Sequence, residues 1–147
     1  MQIHSKCLVV VADGENALLF KESRRGGPLA ERPSWIADLK PQPVTASPKG
    51  RVFERFGPGS HTVETTPPRD RAETRFLQAL AARVDRLITR EGFDDLIMIA
   101  PPRALGVLRD ALSVQSSRRL TASEAALRCH ETPAALRMVI RRLRSAT

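Results

Sequence analysis

Five cations bracket one stretch of the chain: Lys49, Arg51 and Arg55, then Arg69 and Arg71. Ammonium and guanidinium groups clustered this way suit phosphate oxygens. Neutralising a polyanion releases its condensed counterions, so the chemistry expected there is salt-sensitive binding of RNA or another polyanion. The competing reading is a solvated basic surface, with Arg71 and Arg75 paired locally to Asp70 or Glu73. The chain has no tyrosine and only 4% aromatic residues, which leaves little for base stacking.

Other residue types that carry chemistry are scattered. His4, His61 and His130 share no metal-ligand spacing, and Cys7 and Cys129 form no Cys-x-x-Cys pair. Cys129 and His130 are adjacent in sequence, but a nucleophile and its base must meet through the fold. Asp13 closes the first apolar run, whereas Asp94 and Asp95 open a later one. If those runs are parallel strands, the carboxylates lie on opposite rims of the sheet. Glu15 alone does not complete the acidic cluster that a two-metal centre requires. Asp13 followed by Gly14 also reads as a turn residue bonding its own backbone. Gly57-Pro58-Gly59 lacks the glycine spacing of a nucleotide-binding loop. No catalytic residue, metal or cofactor is expected. A hydrolase alternative would use the loop over residues 38–68 as a lid on a pocket at the carboxyl edge of the sheet, among Asp13, His61, Pro101 and Pro102.

The elements that must position these groups follow from periodicity. Cys7–Ala12 is a continuous apolar run, the mark of a strand buried on both faces. Asp13-Gly14 turns the chain into Ala17–Phe20, giving a hairpin, and a third strand is expected from Leu29 to Ile36 with Trp35 as a packing anchor. Residues 38–68 hold six prolines and three glycines, which removes backbone donors and raises the entropy of ordering, so a long loop is expected within one domain spanning residues 1–147. Asp70 to Glu91 repeats Phe76, Leu77, Leu80, Val84, Leu87 and Ile88 at helical spacing, opens on a capping-box-like Asp70-Glu73 pair and stops at Gly92. Leu96–Ala100 is a second apolar strand, and Pro101-Pro102 opens a helix through Leu105, Leu108 and Leu112. Propensity over 114–129 permits helix, while the alternation of strands and helices expects a strand near Leu120–Leu127. A last helix begins at Pro133. The order implies a layered α/β fold.

Net charge is +8, from 24 basic against 16 acidic residues, with the surplus in Lys21–Arg55 and Arg118–Arg144. Arg137, Arg141, Arg142 and Arg144 stud the last helix beside Leu136, Met138, Val139, Ile140 and Leu143. Such a helix either lies on a membrane surface or closes the core and sheds its charges into water.

Val10–Gly14 with Ala17, Leu19 and Phe20, Lys49–Phe53, Glu73–Phe76, Phe93–Leu96 and Ala100–Pro102 with Leu105-Gly106 and Leu108-Arg109 together resemble the bacterial host attachment protein family, described as required for attachment to host cells. That family is similar in turn to the middle domain of archaeal and eukaryotic peptide-chain release factors. The resemblance implies a ribonuclease-H-like, three-layer α/β domain with a five-stranded mixed sheet in order 3-2-1-4-5, strand 2 antiparallel. The release-factor Gly-Gly-Gln is absent; Gly57–His61 stands in the comparable place.

The reading that follows is a non-enzymatic binding protein contacting RNA, the ribosome or the translation apparatus, or a protein partner through residues 38–68. The apolar run near the N-terminus is too short for a signal peptide and no stretch is long enough to span a bilayer. A cytoplasmic location, without membrane insertion, and an indirect role in attachment are therefore expected.

Overall fold

The computed structural model describes residues 5–39 and 68–146. Its centre is β1 (Cys7–Ala12), with all six residues buried. The continuous apolar run reflects position: β1 pairs antiparallel with β2 (Ala17–Glu22) on one side and parallel with β4 (Asp95–Ala100) on the other. With β3 (Leu29–Glu31) and β5 (Leu120–Ala125) the sheet has the order β3-β2-β1-β4-β5, as expected; β2 runs antiparallel to both of its neighbours, while β1, β4 and β5 run parallel.

β3 is shorter than the sequence implied. The strand expected over Leu29–Ile36 ends at Glu31, and Pro33–Trp35 forms a single 3-10 turn instead. Pro33 has no N–H to continue a ladder and its fixed φ favours the turn. Trp35 is nevertheless an anchor. It packs against the core and meets Phe93 edge-on, with ring centroids 5.9 Å apart. The Arg83 guanidinium donates to the Trp35 carbonyl and grips Asp38 with two nitrogens at 3.0 and 2.8 Å, which holds that carboxyl down at about 2.

Strand alternation divides the core in two. Leu8, Val10, Ala12, Leu96, Met98 and Ala100 face α1 (Pro68–Glu91) and α2 (Pro102–Ala111). Cys7, Val9, Val11, Phe20, Ile97 and Ile99 face Leu136, Val139 and Ile140 of α4 (Pro133–Ser145). Helices therefore cover both faces, but among the described residues the second has α4 alone. Asp70 sits inside the first turn of α1 and not at its N-cap, because the helix already includes Pro68. The stretch 114–129 resolves into both alternatives. Ser113 caps α3 (Val114–Arg119) by accepting from the Ser116 N–H, and the chain then enters β5. Thr132 caps α4 in the same way through the Ala135 N–H, with Pro133 in its first turn.

Gly14 has no strain-free room for a side chain. Its φ is +139°, and a Cβ there would stand 3.0 Å from Glu73 Oε1. Gly14→Ala is expected to lower unfolding free energy by about 1–2 kcal/mol, from backbone strain together with displacement of Glu73. Urea unfolding checks this, and an unchanged midpoint would show that the turn relaxes freely.

Candidate functional site

Glu22 ends β2, two residues after Phe20, so the period-2 alternation sends its side chain to the face under α4. Its side chain is fully buried. An isolated carboxylate there would be strongly disfavoured, and α4 supplies the compensation. Arg144 reaches both carboxylate oxygens, with Nη1 2.9 Å from Oε2 and Nη2 2.6 Å from Oε1. Arg137 Nη2 donates to Oε2 at 2.6 Å and its Nη1 donates to the Gly27 carbonyl. The Gly26 N–H adds a bond to Oε2 at 3.0 Å. Burial alone would raise the Glu22 pKa; the bonds from Arg144 and Arg137 outweigh it and hold the carboxyl below its ordinary value. The same pairing raises Arg144.

Arg137, Arg141 and Arg144 recur at i, i+4 and i+7, so they share one flank of α4. That flank faces the β2–β3 turn across a cleft of about 450 Å³ lined by Arg25, Gly26, Arg137, Arg141, Arg144 and Ser145. Four guanidinium groups stand there, and two of them, Arg137 and Arg144, are bonded to Glu22. Asp95, beside the start of β1, lies within electrostatic reach of Arg144 and Arg25; burial raises its carboxyl despite their pull.

The opposite flank of α4 is different. Arg142 bonds Glu124 at 2.8 Å, and Arg128 bonds Glu124 at 2.5 Å and Glu131 at 2.6 Å. Two cations meet two anions, so that side is neutralised. Of the two flanks of α4, the one facing the cleft carries the unbalanced cations.

Of the candidate site residues named from the sequence, Asp13, Arg71, Pro101 and Pro102 do not line this cleft. Lys49, Arg51, Arg55 and His61 lie outside the described residues. Arg69 and Arg71 are both in the first turn of α1, and Arg71 is exposed. That end of α1 meets Gly14, just past the end of β1, whereas the cleft borders the start of β1 on the other face. Pro101 precedes α2 and Pro102 begins it. Asp13 Oδ1 accepts from the Glu15 and Asn16 N–H groups, each at 2.8 Å, which is the turn role. The cleft on that side, of about 530 Å³, is lined by Asn16, Leu19, Ile36 and Phe76 among others, without Asp13, Pro101 or Pro102. Cys7↔Asp95 register puts the Asp94-Asp95 pair at the start of β1 and Asp13 at its far end, about 20 Å away over six residues of strand. Among the described residues no three His, Cys, Asp or Glu side chains gather to hold a metal ion. Burial pushes both thiols up to about 12, aided by Glu22 at Cys7 and by Asp13 at Cys129, so neither is a thiolate at neutral pH.

The family model described as protein required for attachment to host cells matches residues 8–140, most of the chain. The chain belongs to the host attachment family. The matched range spans β1 through Ile140 of α4 and so includes Glu22, Arg25 and Arg137. None of the curated proteins matches this member of the family. No helix among its described residues is long and apolar enough to cross a membrane.

Sequence reasoning noticed the arginines of α4 but not what they enclose. The available signal was the coincidence of two periods. Glu22 falls on the inward register of β2, and three arginines fall on one helical flank.

Proposed function

We propose that this attachment-family protein acts by binding, without catalysis, and that its partner presents anionic groups to the cleft between the β2–β3 turn and α4. The observation that carries the reading is the Glu22 clamp. Two arginines are fixed in place by a fully buried carboxylate, with Arg25 and Arg141 beside them. Arginines held by a buried partner lose little further side-chain freedom when an anion arrives, and preorganised donors bind more tightly than mobile ones. A planar guanidinium fork also matches phosphate and carboxylate oxygens in pairs.

The cations Lys49, Arg51, Arg55, Arg69 and Arg71 form a second candidate contact for RNA or another polyanion. Residues 38–68 are proposed as a loop of the same single domain, open to a protein partner. A cytoplasmic site of action belongs to this reading too.

Fluorescence polarisation with labelled inorganic polyphosphate tests the proposal. Affinity should fall steeply as salt rises, because each neutralised phosphate releases counterions. The Arg25→Ala/Arg141→Ala double variant should bind at least about tenfold more weakly, as expected for losing charge-assisted hydrogen bonds. Arg51→Ala/Arg55→Ala measures the share of the second contact. Binding that ignores both salt and Arg25→Ala/Arg141→Ala would remove the cleft from the account.

A further inference from the structure

We propose that the flank of α4 turned away from the cleft, together with β5, is where a second copy of this chain docks, giving a two-fold dimer. The proposal goes beyond the anion reading and does not depend on it. Three features argue for this occupant.

The first is apolar exposure gathered in one place. Single exposed apolar side chains are ordinary on a protein surface. Among the described residues three large ones are exposed, and two of them, Leu127 and Met138, share a neighbourhood. Met138 is 63% exposed and stands four residues before Arg142 on the same side of α4. Leu127 is 58% exposed and directly precedes Arg128. Both arginines bond the Glu124 carboxylate, so one anion ties the two apolar side chains to a single patch.

The second is charge. Arg128 and Arg142 meet Glu124 and Glu131, so the patch is balanced on a chain of net charge +8. A nucleic acid, an acidic protein or an anionic lipid surface gains nothing from a balanced patch. The unbalanced cations of the other flank would draw it there instead. A second copy is repelled by those same cations, whereas a patch carrying both signs lets two such chains approach. The contact of a two-fold pair joins one patch to itself, which requires that self-complementarity. The ion pairs also hold Arg128 and Arg142 in place beforehand, which lowers the ordering cost of docking.

The third is the sheet. Glu124 lies on β5, and among the described residues the strand order ends there. An edge strand presents backbone N–H and C=O groups to another chain. A two-fold axis beside β5 sets two copies of it antiparallel, with Leu127 and Met138 of each copy toward the seam.

Sedimentation equilibrium of the full chain tests the proposal. The native chain should reach the mass of a dimer at concentrations on the order of 100 μM, the strength of a modest interface. Leu127→Lys/Met138→Lys should weaken the dimer at least about tenfold, because it withdraws apolar surface and sets like charges face to face. Gln78→Lys/Ala79→Lys adds the same charge at exposed positions of α1, on the opposite face of the sheet, and should weaken it far less. Urea midpoints close to native show that both variants fold. The native dimer should tighten as salt rises, since screening relieves the repulsion between two chains of one sign. A monomer throughout this range would overturn the proposal, as would a dimer that both lysine pairs weaken equally. An assembly dissolved by salt would point to bridging by a bound polyanion and would overturn it too. Each of these failures leaves the anion reading of the cleft untouched, and loss of anion binding leaves the dimer standing.

Discussion

Glu22→Ala is expected to lower unfolding free energy by about 3–5 kcal/mol, the usual consequence of breaking a buried ion pair from one side. The substitution leaves Arg144, whose side chain is only 12% exposed, without its carboxylate. It also orphans the Gly26 N–H and loosens Arg137. Glu22→Gln keeps shape and part of the hydrogen bonding, so its loss should be smaller. The pH dependence has a definite sign. The folded-state pKa of Glu22 is lowered, so between the folded value and the ordinary one, about 4.3, the unfolded chain binds the extra proton. The stabilisation is complete above that ordinary value and drains away as pH falls through the folded one. Urea unfolding across the acid range should show a shallower pH slope for Glu22→Gln than for the native chain. Matching slopes would mean that folding does not lower the Glu22 pKa.

Phe93→Ala should be comparably damaging, by about 3–5 kcal/mol, for a different reason. Phe93 follows α1 and is almost wholly buried, with Trp35 edge-on to its ring and Lys6 Nζ 5.6 Å from its centroid. Its carbonyl accepts from Arg119 Nε at 3.1 Å, tying α3 to the same point. Removing the ring empties the junction of α1, β4 and the Pro33–Trp35 turn. Leucine should recover part of the loss by filling part of the volume. Thermal and urea unfolding of both variants check this, and a native-like Phe93→Ala would show that the junction collapses without strain.

Much of the architecture is readable in the chain because the signals are local. Six consecutive buried residues in β1 and five in β4 appear as unbroken apolar runs, and the stripe of α1 has the helical period. Where signals conflict, propensity alone fails. Pro33 ends β3 inside a segment that otherwise alternates. Residues 114–129 mix helical and extended character because a short helix and a strand meet at Leu120. The cleft is harder to foresee for a topological reason. Arg137 and Arg144 lie 115 and 122 residues from Glu22, so no window along the sequence contains both partners. The cations near residues 49–71 draw notice because they are close in sequence, while the cleft's cations are close only after folding.

The most direct test of the cleft is a titration of the isotopically labelled protein with inorganic pyrophosphate, followed by backbone amide NMR. Shifts concentrated at Arg25–Gly27 and along Arg137–Ser145, saturating together, are the predicted result. Shifts centred on Asp13–Asn16 or the first turn of α1, or no shift in any residue, would contradict it.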